Sequence, residues 1–151
     1  MALKRMDNVL IVVDDLEAVK AFFIELGLTL EGEQTVEGPA VAALIGLKDA
    51  GGVRATLAML RTPDGQGIEL DKFHTPAAVR LGPGPPDYAP VNALGYRRVM
   101  FAVDGLDALV ARLRARTGAE LIGEMQYGDT YRLAYVRGPE GIIVALAEQL
   151  G

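Results

Sequence analysis

The stretch NVLIVVDDLEAVKA, which begins at Asn8, and the stretch RVMFAVDGLDALVA, which begins at Arg98, decide the fold. They align without a gap at an offset of 90 residues, so that Asp14 matches Asp104. Each joins an apolar run, rich in β-branched residues in the first copy, to apolar residues at helical spacing, which is typical of a buried strand that leads into a helix. Because self-similarity at a fixed offset marks repeated units, the sequence predicts two copies of one structural module.

A second pair of matching stretches lies near the end of each half. PDGQGIEL begins at Pro63 and PEGIIVAL begins at Pro139, in the same order relative to the first pair. Chance could supply one match between the halves, but two matches in the same order support a duplication. Gly65 and Gly141 are interpreted as turn glycines rather than as parts of a phosphate cradle, since no helix is predicted after them.

Both halves predict the same order of elements, namely a strand, a helix and three strands. Asp14 or Asp15 is the expected N-cap of the first helix, and Gly27 stands where a C-cap glycine belongs. Pro39 is expected to open a further short helix that runs to about Leu47. The predicted strands are 8–13, 28–36, 53–60, 67–73, 98–103, 120–126, 130–137 and 142–148, and the predicted long helices are 16–26 and 106–116.

A proline-rich connector at residues 75–92 joins the halves and holds five of the eight prolines. Because proline fixes φ and cannot donate to a strand ladder, this segment is expected to be extended and outside the core. It could wrap the domain edge, cover a pocket mouth or contact a partner chain. The length of 151 residues fits a single domain, with module one at about 5–74 and module two at about 95–150.

The composition argues against several classes of protein. The formal charge is −5 and the basic residues are dispersed, which argues against a broad nucleic-acid surface; Arg112, Arg114 and Arg116 are interpreted as the solvent face of a helix. There is no cysteine, so disulfides and thiolate metal sites are excluded. No apolar run approaches the roughly 20 residues of a membrane span, and no signal peptide is recognised. We therefore expect a cytoplasmic protein without nucleic-acid or membrane partners.

The paired arrangement resembles the vicinal oxygen chelate superfamily, which includes glyoxalase I, bleomycin-resistance proteins and extradiol dioxygenases. The resemblance is carried by VVDDLEAVKAFF, FAVDGLDALVARL, PDGQGIEL and RGPEGIIVAL, and it covers nearly the whole chain. It implies an α+β fold in which two tandem βαβββ modules form an open, curved mixed β-sheet barrel around a cavity. It also implies a homodimer. It does not select one reaction, since this fold hosts many.

Members of this superfamily hold a divalent metal through ligands on the first and last strands of each half. The resemblance places these four positions at Asn8, Glu69, Arg98 and Ala145, of which Glu69 alone is a usual ligand. Because one carboxylate does not hold a catalytic metal, we expect no metal and no cofactor. The same placement suggests that Arg98 pairs with Glu69 in the cavity. The alternative is that Arg98 turns outward and Glu69 is solvated.

A few further residues are candidates for chemistry or binding. His74 is the only histidine and could serve as a base beside Glu69 and Arg98, or could be a loop residue that bonds backbone. Tyr131 and Tyr135 share one face of a strand and could stack on a flat ligand, with ordinary packing as the alternative. The predicted ligand-binding residues are Asn8, Glu69, Tyr96, Arg98, Met100, Tyr131 and Tyr135.

Three functions compete on this basis. The first is a small-molecule binding protein of the bleomycin-resistance type without the family metal. The second is a metal-independent lyase or isomerase that uses Glu69, Arg98, His74 or a tyrosine for acid–base work. The third is a metal-dependent enzyme of the glyoxalase or dioxygenase type, which Asn8, Arg98 and Ala145 disfavour. A non-catalytic interaction role is a further alternative.

Overall fold

The computed structural model describes residues 5–80, 90–94 and 96–151 of the chain. Contacts divide the chain into two compact units, Met1–Leu81 and Gly82–Gly151, which we call unit one and unit two. Each unit has the predicted βαβββ order and one open, four-stranded mixed sheet, which confirms the α+β fold. Half of the predicted connector, residues 81–89, lies outside the described residues.

Unit one is built from four strands and two helices. They are β1 (Asn8–Val13), α1 (Leu16–Leu26), β2 (Thr29–Glu37), α2 (Pro39–Leu44), β3 (Arg54–Arg61) and β4 (Gly67–Thr75). The strand order is β1-β4-β3-β2, with β1 parallel to β4 and the other neighbours antiparallel.

Local sequence signals set the ends of α1. The Asp15 carboxylate accepts a hydrogen bond from the Ala18 backbone N–H at 3.0 Å, which is the predicted N-cap. Gly27 has φ of 125° and its N–H donates to the carbonyls of Phe23 and Ile24, so a side chain at this C-cap would be strained. The first helix is therefore specified by the residues that flank it.

Unit two repeats the arrangement without the short second helix. Its elements are β5 (Arg98–Val103), α3 (Leu106–Thr117), β6 (Glu120–Tyr127), β7 (Tyr131–Arg137), a 3₁₀ turn (Pro139–Gly141) and β8 (Ile143–Gln149). The strand order is β5-β8-β7-β6, with β5 parallel to β8. Gly105 offers no capping side chain to α3, and Glu148 on β8 supplies it by accepting from the Gly105 N–H at 2.7 Å.

In both sheets the side chains alternate between two faces. One face carries the apolar residues buried with the long helix, such as Leu60 and Leu70 in unit one and Val136 and Leu146 in unit two, all 0% exposed. We call the other face the open face. It carries most of the site residues that the sequence predicts, so the fold presents them on the side of each sheet away from the helix.

In both units an arginine at an equivalent position donates a hydrogen bond to the turn before the last strand. Arg61 Nη1 donates to the Gly65 carbonyl at 3.4 Å, and Arg137 Nη1 donates to the Gly141 carbonyl at 3.3 Å. Gly65 and Gly141 have φ of 91° and 74°, which supports the interpretation as turn glycines. The second sequence match between the halves is thus a repeated turn, and an arginine side chain is hydrogen-bonded to it in each unit.

The observed bounds match the predicted strands within two residues, and two predictions need correction. Helix α2 ends at Leu44 rather than near Leu47, because Gly46 adopts φ of 78°. His74 lies within β4, which continues to Thr75, and not in a loop after the strand. Arg112, Arg114 and Arg116 are exposed on α3, as predicted. No helix of the described residues is long and apolar enough to span a bilayer.

Candidate functional site

The open face of unit one carries two carboxylates on β4. Glu69 and Asp71 are two residues apart on this strand, so their side chains lie on the same face. Their register neighbours on β1 and β3 are apolar: Leu10, Val12, Leu57 and Met59. The two acids therefore stand side by side between hydrocarbon side chains.

Asp71 is unusual among these groups because it is buried. It is 9% exposed, and its Oδ1 atom has no hydrogen-bond partner among the described residues. Burial raises the pKa of Asp71 to about 7, and a hydrogen bond and like charge from Glu69 add to this effect. The pair therefore holds a proton at pH values where an ordinary aspartate has lost it.

Glu69 also lines a cavity of about 330 Å³ on unit one. The other charged groups around that cavity are compensated. Arg61 is ion-paired with Glu31, and Lys20 is hydrogen-bonded to Glu33 at 2.7 Å. The full lining is Glu31, Gly32, Glu33, Gln34, Leu57, Met59, Arg61 and Glu69.

The open face of unit two carries an arginine–tyrosine contact instead. Arg98 Nε donates to the Tyr135 hydroxyl at 2.6 Å, and its guanidinium carbon lies 5.5 Å from the Tyr135 ring centroid. Ala145 on β8 is the register partner of Tyr135 and is fully buried. The register partner of Arg98 on β8 is Ile143, so Arg98 reaches diagonally across β8 to Tyr135 on β7.

The same open face carries a larger and more apolar cavity of about 610 Å³. Tyr131, which lines it, contacts Tyr127 with ring centroids 4.9 Å apart. The lining is mainly apolar with a few polar residues: Met100, Ala102, Val103, Asp104, Thr130, Tyr131, Leu133, Ala147 and Gln149. A planar apolar group could lie on this surface while the polar residues bond its polar atoms.

The structure brings some predicted site residues together and separates others. Met100 and Tyr131 line the unit-two cavity, whereas Tyr96 precedes β5 and is 99% exposed. Asn8 begins β1 beside Gly67, where an added Cβ would lie 3.1 Å from the Asn8 Cβ atom. Asn8 is therefore packed against the start of β4.

His74 is not brought to the face that carries Glu69. Its Nε2 atom is hydrogen-bonded to the Thr56 hydroxyl at 2.8 Å, and both residues line a separate depression with Lys72 near the start of α1. The predicted pairing of Arg98 with Glu69 joins residues of the two units and stays a prediction.

Asp71 and Leu133 are residues of the open faces that the sequence did not single out. Asp71 follows Glu69 by one full period of the strand, and this alternation in GIELD is a signal that could have identified it. Leu133 lies between Tyr131 and Tyr135 with the same period, and it lines the unit-two cavity.

The donor groups near the family's metal positions do not fit a catalytic metal. Among residues 5–80, 90–94 and 96–151 there is no group of three or more His, Asp or Glu side chains arranged to hold one. Glu69 is accompanied by Asp71, while Ala145 is a fully buried methyl and Arg98 is cationic. A stable site for zinc or a similar ion needs three or four donors. The expectation of no metal rests on this donor set and stays a prediction.

Comparison with known proteins links the chain to a large family. The model of the Glyoxalase/Bleomycin resistance protein/Dioxygenase superfamily matches residues 5–146. A glyoxalase family protein from Bacillus cereus is 49% identical, with TM-score 0.88 over 100% of this chain and 99% of that chain.

More distant structures share the fold. TnmS3, an antibiotic binding protein from Streptomyces sp. CB03234, is 19% identical, with TM-score 0.59 over 99% of this chain and 98% of that one. A glyoxalase/dioxygenase from Nostoc punctiforme is 18% identical, with TM-score 0.63 over 99% of this chain and 94% of that one. Among curated proteins no match is found.

Proposed function

Because the chain belongs to the Glyoxalase/Bleomycin resistance protein/Dioxygenase superfamily, we propose that it is a small-molecule binding protein. It takes an apolar or aromatic ligand on the open face of unit two, without the metal of its family. The observation that carries this proposal is the cavity of about 610 Å³ beside Met100, Tyr131 and Leu133. Small-molecule sites are typically about 300–1,000 Å³, mostly apolar, with a few polar groups that fix orientation.

Asp104, Thr130, Tyr131 and Gln149 are the polar residues that line this cavity. The Arg98–Tyr135 contact on the same open face offers a further polar group to a ligand that extends beyond it. The Arg98 guanidinium is cationic and already lies over the Tyr135 ring. A ligand carboxylate or carbonyl could accept from the guanidinium N–H groups that do not face Tyr135. Because the hydroxyl of Tyr135 holds Nε at 2.6 Å, the guanidinium loses little side-chain entropy on binding.

The likeness to TnmS3 is consistent with this role. That protein is described as an antibiotic binding protein, and it shares the fold at 19% identity. A protein with this fold is thus described as binding an antibiotic. The proposal for this chain rests on its own cavity and on the poor metal donor set.

A binding screen with matched variants tests the proposal. Aromatic metabolites and antibiotics are screened by thermal shift, and hits are titrated by calorimetry against the unmodified protein, Leu133→Glu and Leu57→Glu. Leu133 and Leu57 are equivalent residues on β7 and β3, at an offset of 76. We expect Leu133→Glu to weaken binding at least tenfold and Leu57→Glu to change it less than twofold. Equal losses in both variants would contradict a site on unit two.

A metal-independent lyase or isomerase is the second candidate, and the Glu69–Asp71 pair favours it. A carboxyl whose pKa lies near the working pH is suited to moving protons, and burial raises the pKa of Asp71 to about 7. The position of His74, bonded to Thr56, removes it from this pair. Chromatography of each bound ligand after incubation decides the matter: conversion that Glu69→Gln abolishes favours the enzyme, and unchanged ligand favours the binding protein.

The metal-dependent alternative has its own test. Elemental analysis of dialysed protein should show less than one tenth of an equivalent of nickel, zinc, iron or manganese, because Asn8, Arg98 and Ala145 replace the usual ligands. A stoichiometric metal would overturn this part of the proposal. A cytoplasmic homodimer remains part of the proposal, and light scattering on the purified protein measures the oligomeric state.

A further inference from the structure

We propose that the cavity on unit two takes an aromatic compound that carries a protonated amine, with the ammonium group at Asp104. This inference rests on the proposed function, because it names the ligand class of the same cavity. Asp104 selects the ligand by its charge, and this role is separate from the apolar contacts that hold the aromatic ring.

The polar residues of this cavity gather at one end of the sheet of unit two. β5 and β8 are parallel and end at Val103 and Gln149, and the antiparallel β7 begins at Tyr131. Asp104 directly follows β5, and the register pairs Gln149 with Tyr131. These two side chains line the cavity together with Asp104 and Thr130. The cavity therefore has a polar end.

The apolar part of the lining begins one row further along the strands. The register places Ala147 on β8 between Ala102 on β5 and Leu133 on β7, and all three residues line the cavity. Successive rows on one face are two residues, or roughly 7 Å, apart along a strand. An aromatic ring can therefore lie on this apolar row while a short group attached to the ring reaches the polar end.

Charge selects the group that binds at the polar end. Among the described residues that line the cavity, Asp104 alone carries a formal charge, and this charge is negative. A carboxylate only accepts hydrogen bonds, and the oxygens of Thr130, Tyr131 and Gln149 can accept as well. An ammonium group donates three hydrogen bonds and supplies the opposite charge, whereas a ligand carboxylate is repelled. The polar end therefore favours a cationic donor.

Arg98 lies on the same open face and does not oppose a cation at Asp104. The rise from Arg98 to Val103 along β5 is roughly 17 Å. Charges in contact with solvent are largely screened beyond about 8–10 Å at physiological ionic strength. The ammonium group of the ligand is therefore attracted by the adjacent carboxylate and is only weakly repelled by the arginine.

The expected preference for an amine is modest, because Asp104 is exposed. Exposed ion pairs typically change an equilibrium by up to about fivefold, and the apolar part of the cavity strengthens this one. We expect an amine to bind about three- to tenfold more tightly than an alcohol of the same shape. The preference should fall when NaCl is raised from about 50 mM to about 500 mM, because salt screens exposed charges.

The test uses naphthalene probes of matched shape, namely 2-(aminomethyl)naphthalene, 2-naphthalenemethanol and 2-naphthoate. Each probe is titrated into the full chain at pH 7 and followed by calorimetry and methyl NMR. We expect the amine to bind about three- to tenfold more tightly than the alcohol, and the naphthoate to bind most weakly. The methyl signals of Met100 and Leu133, which line the cavity, should shift. Equal affinities for the amine and the alcohol would overturn the inference.

Variants test whether Asp104 causes the preference. Asp104→Asn keeps the shape of the side chain and should lower the ratio of amine to alcohol affinity to less than about 1.5. Asp14→Asn is the matched control, because Asp14 is the equivalent residue of unit one at an offset of 90, and it should leave the ratio unchanged. Ala147→Val enlarges the apolar row and should weaken both probes by the same factor. A ratio that persists in Asp104→Asn contradicts the inference.

The neutral alcohol separates this inference from the proposed function. If 2-naphthalenemethanol binds, Leu133→Glu weakens it and the amine has no advantage, the proposed function stands and the inference fails. If Leu133→Glu leaves the affinity for the alcohol unchanged, the proposed site on unit two is wrong. If none of the probes binds, both proposals fail.

Discussion

The two units share a topology and differ on their open faces. At an offset of 76 residues, Glu69 and Asp71 on β4 correspond to Ala145 and Ala147 on β8. The helix sides keep large apolar residues in both units, because each must be buried with a helix. The open faces are not packed against a helix and can differ between the units. One carries a carboxyl pair, and the other carries an apolar surface with an arginine–tyrosine contact. The duplicated scaffold thus carries two different chemistries.

The largest expected effect lies on the shared helix side. Phe23 on α1 and Leu113 on α3 are matched at an offset of 90, and both are fully buried. We expect Phe23→Ala to lower the free energy of unfolding by about 3–5 kcal/mol and Leu113→Ala by about 2–5 kcal/mol. Chemical denaturation measures both. If one variant loses much unfolding free energy and the other almost none, the helix sides of the two units are not equivalent.

The next largest effect is on the pH dependence of the free energy of unfolding, which the Asp71 carboxyl on the open face of unit one should influence. Folding raises the pKa of Asp71 from 3.8 to about 7, so the native state retains a proton that the unfolded chain releases. Its contribution to stability is therefore fully present below pH 3.8 and is lost as pH rises towards 7. Asp71→Asn keeps a neutral side chain at every pH and should raise the free energy of unfolding at pH 8 by about 1–3 kcal/mol.

The control for this effect is the matched residue of unit two. Ala147→Asn places the same side chain on β8, where no acid is replaced, and should bring no gain at pH 8. Denaturation curves at pH 4 and pH 8 compare the three proteins. If Asp71→Asn is less stable than the unmodified protein at pH 8, then the buried Asp71 carboxylate does not destabilise the folded state as we expect.

A smaller effect concerns the two ways of capping the long helices. Asp15 caps α1 from its own chain segment, while Glu148 on β8 accepts from the Gly105 N–H at the start of α3. Asp15→Ala and Glu148→Ala should each cost about 1 kcal/mol. Amide hydrogen exchange should show faster exchange in the first turn of the helix concerned and not in the other. Loss of protection in neither helix would contradict both cap assignments.

The smallest effect is expected at the arginine–tyrosine contact. Tyr135→Phe removes the hydroxyl that accepts from Arg98 Nε and keeps the ring beneath the guanidinium. Because Arg98 is exposed, we expect a loss of about 0.5–1 kcal/mol, which thermal unfolding can measure. A loss above about 2 kcal/mol would indicate that the contact is a structural element of unit two and not a free face for ligands.

The sequence predicted the scaffold well because its signals are local. The strand Asn8–Val13 and the helix ends at Asp15 and Gly27 follow from an apolar run, a capping side chain and a glycine with positive φ. The internal offset of 90 residues then placed the first strand and helix of the second unit. Where the prediction failed, as at the end of α2, the cause was the backbone angle of Gly46, which sequence periodicity does not report.

The candidate site was only partly predictable, because it depends on burial and on contacts across strands. Glu69 was identified through the family resemblance, whereas the burial of Asp71 beside it requires the packing of three strands to be known. The Arg98–Tyr135 bond crosses from β5 to β7 over the intervening β8. Neither feature has a short-range sequence signal.

Methyl NMR tests most directly whether an aromatic ligand binds to the open face of unit two. Leu57 and Leu133 are equivalent positions on the two open faces, and Met59 and Met100 lie on the same two faces. Methyl NMR spectra are recorded while an aromatic hit from the thermal-shift screen is added. We expect the methyl signals of Leu133 and Met100 to shift first and furthest, with little change at Leu57 and Met59. Shifts confined to Leu57 and Met59 would contradict it.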